Sequence, residues 1–238
     1  MLYLSQEDIE VIGESVLKDC ARKCDKAISI PVDIEDFAGS YLGLGILYRK
    51  LSGSGSILGL TTYKGVNLAL KLDEGDVLLS VPRDTILLDE TLSERKAYKR
   101  RRFTIAHECA HQILARIEAR ETSGSLRESL LPGMTYSPRE LRTSEDWNEW
   151  QANTLAAVLL MPRHELITRI NVLFDPILMT IIESKNINAL GIVWLKKMAD
   201  KFGVSKEAMA IRMEKLGYKI KPEFERLIQT EQAVLEIA

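Results

Sequence analysis

The segment RRFTIAHECAHQIL places two histidines, His107 and His111, four residues apart. In an α-helix this spacing brings both imidazoles to one side, one turn apart, where they can bind the same metal ion. Glu108 lies beside the pair, so it can accept a proton from water without itself binding the metal. A metal ion that polarises a carbonyl and a neighbouring base are the groups that peptide-bond hydrolysis requires. The segment therefore predicts a Zn²⁺ site in which His107 and His111 are ligands and Glu108 is the catalytic base.

A third metal ligand is expected from the segment SEDWNEWQANTLAAVLLMP, which predicts a helix over residues 145–160. Glu149 shares a face of this helix with small alanines, which is typical of a face that packs inward. A carboxylate there needs a counter-charge, and a metal ion would supply one. Glu145 and His164 are the alternatives, although the helix dipole also explains a carboxylate in the first turn. Asn153, on the same face as Glu149, could hydrogen-bond a metal ligand.

The elements before the histidine motif must position it. Apolar residues at helical spacing predict a helix over 6–27, and Asp33 is expected to cap a short helix that ends at Gly43. Between 44 and 88, short apolar runs alternate with Gly, Asn and Asp, which predicts several short strands in an antiparallel sheet. The Ser-Gly stretch at 52–56 is expected to be a hairpin loop within that sheet.

The chain after the sheet is predicted to be largely helical. Thr91 and Glu94 form a capping-box pattern for a helix that extends to about residue 120. A long loop is expected at 121–143, and further helices at 189–202 and 205–216. The pattern indicates one α+β unit, with a small antiparallel sheet beside a zincin-like pair of helices.

Composition excludes several classes of protein. The 238 residues are 46% hydrophobic and 28% charged, with a formal net charge of −2, so no strong basic field attracts nucleic acid. No stretch approaches the ~20 apolar residues that span a bilayer, and the first residues lack the pattern of a secretory signal. Three cysteines do not suggest a disulfide framework. We therefore expect a cytoplasmic protein without a membrane partner.

The segment KMADKFGVSKEAMAIRMEKLG (197–217) offers an alternative function, because it has the pattern of a DNA-binding helix-turn-helix. Glu207 and Glu214 stand beside Lys206 and Arg212, however, and this mixture makes a weak phosphate-binding face. We therefore expect no direct nucleic-acid partner. The apolar positions of the second helix are expected in the core: Met209, Ile211 and Met213.

Other features have simpler explanations. The basic run ERKAYKRRR (94–102) is either a solvated helix face or a surface that steers an acidic substrate. Cys20 and Cys24 are expected to be small core residues, and Cys109 is expected to pack against the sheet. A metal-free protein-binding module is a third possible function, and it is disfavoured because the ligand types and the base are all present.

Three separated blocks resemble the ImmA/IrrE family of zinc metallopeptidases. They are RRFTIAHECAH, the E-x-x-A-N run at 149–153 and the LLMP at 159–162, in the family's order. The segments PVDIEDFAGSYLGLGI and FGVSKEAMAIRMEKLGY also resemble the family's start and end. The resemblance implies that His107, His111 and Glu149 bind Zn²⁺. It also implies that the substrate is a protein, a helix-turn-helix transcriptional repressor that is cleaved at a specific site.

The resemblance also suggests boundaries. It covers about residues 28–218, which we take as the metallopeptidase domain, preceded by an N-terminal helix (1–27) and followed by a helical tail (219–238). The chain departs from the family pattern in the loop at 121–143 and in the segment at 165–190.

Overall fold

A computed structural model of the protein describes residues 3–73, 75–121, 143–172, 186–187 and 189–220. The chain divides into two units, Met1–Leu159 and Leu160–Ala238. The division at 28 and 218 expected from the sequence stays a prediction, and most of the expected tail (221–238) lies outside the described residues.

Two helices open the first unit. Helix α1 (Gln6–Lys23) begins at Ser5, whose hydroxyl accepts a hydrogen bond from the backbone of Asp8 in a capping box. It ends four residues before the predicted end, and Asp25 then turns the chain with a φ of 50°. The predicted short helix is present as α2 (Ile34–Asp36), followed by a π-helical turn (Phe37–Tyr41). Its expected limits are confirmed, since the Asp33 side chain caps it and Gly43 has a φ of 72°.

The predicted strands are present, but their pairing is mixed. They are β1 (Gly45–Arg49), β2 (Gly59–Thr62), β3 (Val66–Leu72), β4 (Gly75–Val81) and β5 (Thr85–Asp89). β5 is buried along its whole length, with β1 parallel on one side and β2 antiparallel on the other. β3 and β4 form a separate antiparallel hairpin. The stretch at 52–56 is therefore not a hairpin loop, because the strands that it joins each pair with β5 and not with each other.

The long helix of the histidine motif begins later than its predicted cap. The Thr91 hydroxyl donates to the Asp89 carboxylate at 2.6 Å, so Asp89, and not Thr91, caps this segment. Two short 3₁₀ helices (Glu90–Ser93 and Arg95–Ala97) follow, and helix α3 starts only at Tyr98. The capping-box prediction was wrong because Asp89, two residues before Thr91, accepts the hydrogen bond of the Thr91 hydroxyl.

Helices α3 (Tyr98–Glu121) and α4 (Ser144–Leu160) frame the histidine motif. The predicted helix over 145–160 is confirmed, whereas residues 122–142 of the expected loop lie outside the described part of the chain. Gly13 of α1 allows close packing on α4, because a Cβ there would lie 2.5 Å from a methyl group of Val158. The first unit thus sets two helices beside a small sheet, which confirms the predicted α+β, zincin-like class.

The second unit is mainly helical. It contains α5 (Arg163–Val172), β6 (Asn186–Ile187), α6 (Ala189–Phe202), α7 (Lys206–Lys215) and β7 (Lys219–Ile220). The two short strands pair in parallel, and Ser205 caps α7. The helices predicted over 189–202 and 205–216 are confirmed. No helix in the described ranges is long and apolar enough to cross a membrane.

Candidate metal centre

Helices α3 and α4 bring three metal-ligand side chains together. The Nε2 atoms of His107 and His111 lie 3.0 Å apart, and each is 3.2 Å from a different carboxylate oxygen of Glu149. The ligand atoms of the three residues all lie within 4.8 Å of one another. Ligands bound to tetrahedral zinc at ~2.1 Å are separated from each other by about 3.4 Å. The observed spacing is therefore close to that of a metal-binding cluster.

The hydrogen-bonding pattern of the cluster favours a cation at its centre. The Nδ1 atom of His107 lies 3.1 Å from the Asn153 amide oxygen, to which it can donate its proton. The Nε2 atom of His107 then carries a lone pair directed at His111 and Glu149. Consistent with this, Oε2 of Glu149 is buried and makes no hydrogen bond within the described residues. A divalent metal ion would satisfy these lone pairs together, so the residues fit a metal.

Glu108 is the second buried carboxylate at the cluster. Its side chain is almost wholly buried, and no hydrogen bond or ion pair joins it to another residue in the described ranges. Strand β2 lies against it, since a Cβ added to Gly59 would come 2.9 Å from Oε1 of Glu108 and 2.5 Å from a methyl group of Thr104. Gly59 therefore leaves the space that the Glu108 side chain occupies.

Burial and mutual contact shift the protonation equilibria of the cluster. Burial raises the pKa of Glu108, and the neighbouring imidazoles reverse only part of that rise. Burial also acts on Glu149, but contacts with His107 and His111 prevail and lower its pKa to about 2. Burial alone would lower the pKa of His107, yet the contact with Glu149 and the charge of Glu108 raise it. Glu149 thus stays ionised, whereas Glu108 holds a proton more readily than an exposed glutamate does.

A cleft opens onto the cluster, and its lining includes residues that the sequence did not single out. Glu108, His111 and Glu149 line it together with Thr61 and with Tyr63, Glu145 and Asn148. Tyr63 follows β2, and burial and the nearby charges of Glu108 and Glu149 raise its pKa, so it remains a neutral phenol that can donate a hydrogen bond. A lone tyrosine after a short strand matches no motif, so sequence alone gave no signal for it.

Helix α3 is fixed to the sheet one turn beyond Glu108. The buried amide of Gln112 donates to the Thr61 hydroxyl at 2.7 Å and to the Thr62 carbonyl at 3.0 Å. These two bonds hold β2 beside the histidine motif. Gln112 was also not predicted, because its partners are distant in sequence and only the fold brings them close.

The two alternative ligands lie outside the cluster. Glu145 is exposed, one helical turn before Glu149, and lines the cleft without approaching the imidazoles closely enough to join the ligand group. His164 is an exposed residue of α5 in the second unit. Within the described residues, only His107, His111 and Glu149 bring metal-ligand atoms together in such a group.

The remaining sequence features have structural roles. Arg212, proposed as part of a DNA-binding face, is fully buried and donates to the Met161 carbonyl at 3.1 Å. Met209 and Met213 are in the core as expected, but Ile211 is 54% exposed, so its core prediction was wrong. In the basic run, Arg102 is buried and donates to the carbonyl of residue 32 at 2.8 Å.

The cysteines are free thiols. Cys109 is fully buried on α3, and its expected packing against the sheet stays a prediction. Cys20 and Cys24 are only partly buried, and burial raises the pKa of the Cys20 thiol to about 11. Neither belongs to a metal-binding group in the part of the chain that the structure covers.

The chain matches the model of a known protein family. The model of Peptidase M78, described as the IrrE N-terminal-like domain, matches residues 85–214, more than half of the 238-residue chain. The matched range contains β5, α3 and α4, and with them every residue of the metal cluster. No curated protein matches the chain.

Proposed function

Because the chain belongs to the Peptidase M78 metallopeptidase family, we propose that it is a zinc-dependent endopeptidase with a regulatory protein as its substrate. In this proposal His107, His111 and Glu149 hold the Zn²⁺ ion and Glu108 is the catalytic base. The observation that carries the proposal is the meeting of three metal-ligand side chains, with the buried Oε2 of Glu149 left without a hydrogen bond among the described residues, beside a second buried carboxylate in one cleft. A purely structural cluster would have its lone pairs paired with donors.

Each residue of the cleft has a part in the proposed reaction. When bound, a zinc ion supplies Lewis acidity toward the peptide carbonyl and toward water. Glu108 accepts a proton from the water that attacks the carbonyl, and its raised pKa allows it to hold that proton and deliver it to the leaving amine. The neutral Tyr63 phenol can donate a hydrogen bond to the carbonyl oxygen as negative charge develops there.

Asn153 has an orienting role in this proposal. Its amide oxygen accepts the Nδ1 proton of His107, which fixes the tautomer and directs the Nε2 lone pair into the cluster. Asn153 therefore acts on the metal only through His107.

The sheet provides a place for an extended substrate. Among the described strands, β2 pairs on one side with β5 and is the edge strand nearest to α3. Thr61 of β2 and Tyr63 just after it line the cleft. An extended polypeptide that adds to the free side of β2 would pass beside Glu108 and the metal ligands. This placement favours cleavage within a chain, as an endopeptidase requires.

The proposed substrate is a helix-turn-helix transcriptional repressor in the cytoplasm. The resemblance of the HECAH, E-x-x-A-N and LLMP blocks to the ImmA/IrrE family supports this choice. The three free cysteines suit a reducing compartment.

Incubation with candidate repressors tests the proposal. Zinc-loaded protein is mixed with repressors encoded beside its gene, and fragments are identified by mass spectrometry. We expect one defined cleavage site, no cut with Glu108→Gln, and no cut after zinc is removed by a chelator. Cleavage that persists in either control would contradict the proposed mechanism. If every repressor stays intact while zinc-dependent cleavage of other proteins occurs, the peptidase proposal stands and the repressor proposal fails.

A further inference from the structure

Glu145 lines the cleft although neither metal binding nor helix capping requires it. Its carboxylate is exposed on the first turn of α4 and lines the cleft. No hydrogen bond or ion pair joins it to another residue in the described ranges. An acidic side chain without a partner beside a substrate cleft can bind a positively charged group of the substrate.

The capping of α4 does not require Glu145. The backbone and hydroxyl of Thr143 donate to Oδ2 of Asp146, both at 2.8 Å, and the backbone of Asp146 donates back to the Thr143 hydroxyl. The same three bonds join Ser5 and Asp8 at the start of α1. In each helix the third residue after the cap forms these bonds. The second residue after the cap, Glu145 in α4 and Glu7 in α1, does not.

The charges that line the cleft are predominantly negative. Glu108, Glu145 and Glu149 line it, and no lysine or arginine of the described residues does. The two charges of a bound divalent ion would balance the buried pair, Glu108 and Glu149. The charge of Glu145 would then remain uncompensated. The buried Glu108 carboxylate has no partner among the described residues, and it marks the position of the reacting bond without reference to Glu145.

On the basis of the proposed peptidase function, we infer that Glu145 selects a basic residue of the substrate, one or two positions from the cleaved bond. Glu145 precedes Glu149 by one helical turn, a rise of about 6 Å. An extended chain covers that distance in about two residues, at ~3.3 Å each. A lysine or arginine at that position would bring its cation to the Glu145 carboxylate while the scissile bond lies at Glu108.

A randomised peptide library measures this selectivity. Zinc-loaded wild-type protein is incubated with unstructured peptides, and the residues around each cut are counted by mass spectrometry. We expect Lys and Arg to exceed Asp and Glu near the cut by roughly twofold to fivefold, as one solvated ion pair allows. Glu145→Gln should remove the preference, and Glu145→Lys should reverse it toward acidic residues.

The matched control is Glu7→Lys. It makes the same charge change at the same position of a helix with the same cap, but Glu7 does not line the cleft. It should therefore keep the wild-type preference. A preference that is absent in the wild type, or unchanged in Glu145→Lys, overturns the inference and leaves the peptidase proposal standing.

Binding separates the two proposals when cleavage fails. The same library is passed over immobilised, zinc-loaded Glu108→Gln protein and over the double variant Glu108→Gln/Glu145→Lys. Retention of basic peptides by the first and of acidic peptides by the second supports the role of Glu145, even if no variant cuts any peptide and the peptidase proposal fails. Equal retention of both kinds of peptide by both proteins overturns it.

Discussion

Helices α3 and α4 gather metal-ligand atoms around a cleft, whereas α7 in the second unit uses the buried guanidinium of Arg212 to hold the core of that unit. In the first unit, Oε2 of Glu149 and the Glu108 carboxylate have no hydrogen-bond donor among the described residues. In the second unit, the Arg212 guanidinium is equally buried, but it donates to the carbonyl of Met161. Both stretches resemble functional motifs in sequence.

The difference shows what separates a functional motif from a structural one. Burial of a polar group without a partner costs about 1–3 kcal/mol or more. A ligand can supply the missing partner, as a metal ion would do between His107, His111 and Glu149. Arg212 needs no such ligand, because the protein itself provides an acceptor. Unsatisfied atoms alone do not distinguish the two regions, because Nε1 of Trp194 on α6 and Oε1 of Glu207 on α7 are also buried without a hydrogen bond among the described residues. The two regions differ in the meeting of three metal-ligand side chains in one cleft.

The largest change in activity is expected from Glu108→Gln. Glutamine fills the same space but cannot accept a proton, so cleavage should fall by about 10²–10⁴-fold while zinc content stays near that of the wild type. Cleavage assays and metal analysis on the same preparation measure both. Glu118→Gln, on the same helix but outside the cleft lining, is the control and should retain activity. Full activity in Glu108→Gln would remove the proposed base.

In the second unit, Arg212→Ala should affect folding. It removes a fully buried side chain and leaves the Met161 carbonyl without this donor, so the free energy of unfolding should fall by about 2–5 kcal/mol. The exposed Lys201→Ala should change it by less than about 0.5 kcal/mol. Denaturant unfolding compares the two variants. If Arg212→Ala were as stable as the wild type and lost affinity for DNA, α6 and α7 would be a DNA-binding motif after all.

The sequence predicted elements whose determinants are local. The starts of α1 and α7 follow from Ser5 and Ser205, and the limits of α2 from Asp33 and Gly43. The strands of the first unit follow from short apolar runs between turns. The parallel pairing of β1 with β5 could not be predicted in this way, because it depends on which distant strand packs beside β5 in the fold.

The same limit applies to the candidate site. The spacing of His107 and His111 on one helix is a local property, and the position of Glu149 follows from the face it shares with small residues. Tyr63 and Gly59 belong to the cleft only because β2 packs against α3. At Thr91 the capping-box pattern is present in the sequence, but no such cap forms, because Asp89 caps the segment and binds the Thr91 hydroxyl.

A smaller effect is expected from Asn153→Ala. Without the amide oxygen, the Nδ1 proton of His107 loses its acceptor and the ring is less well oriented, so zinc affinity should fall by about 10–100-fold. Asn148→Ala is the matched control, because Asn148 lines the cleft from the same helix without contacting His107 in the described structure. Equal zinc affinity in the two variants would show that Asn153 does not orient the ligand.

Zinc affinity should also depend on pH. His107 must lose its second ring proton to bind a metal, and although burial alone would lower its pKa, Glu149 and Glu108 raise it above the usual value of 6.5. Affinity should therefore fall as the pH drops below this raised pKa, by up to about tenfold per pH unit for each proton displaced. Chelator competition between about pH 8.5 and about pH 6 measures this slope. A constant affinity would mean that no proton is displaced from the cluster.

Zinc titration of three single variants tests most directly whether His107, His111 and Glu149 form the metal centre. Glu149→Ala removes a ligand and should lower zinc affinity more than any other change considered. Glu145→Ala and His164→Ala remove the exposed alternatives and should bind zinc nearly as tightly as the wild type. A large loss of zinc affinity is expected in Glu149→Ala alone. Wild-type zinc affinity in Glu149→Ala, together with a loss in His164→Ala or Glu145→Ala, would contradict this assignment of the metal ligands.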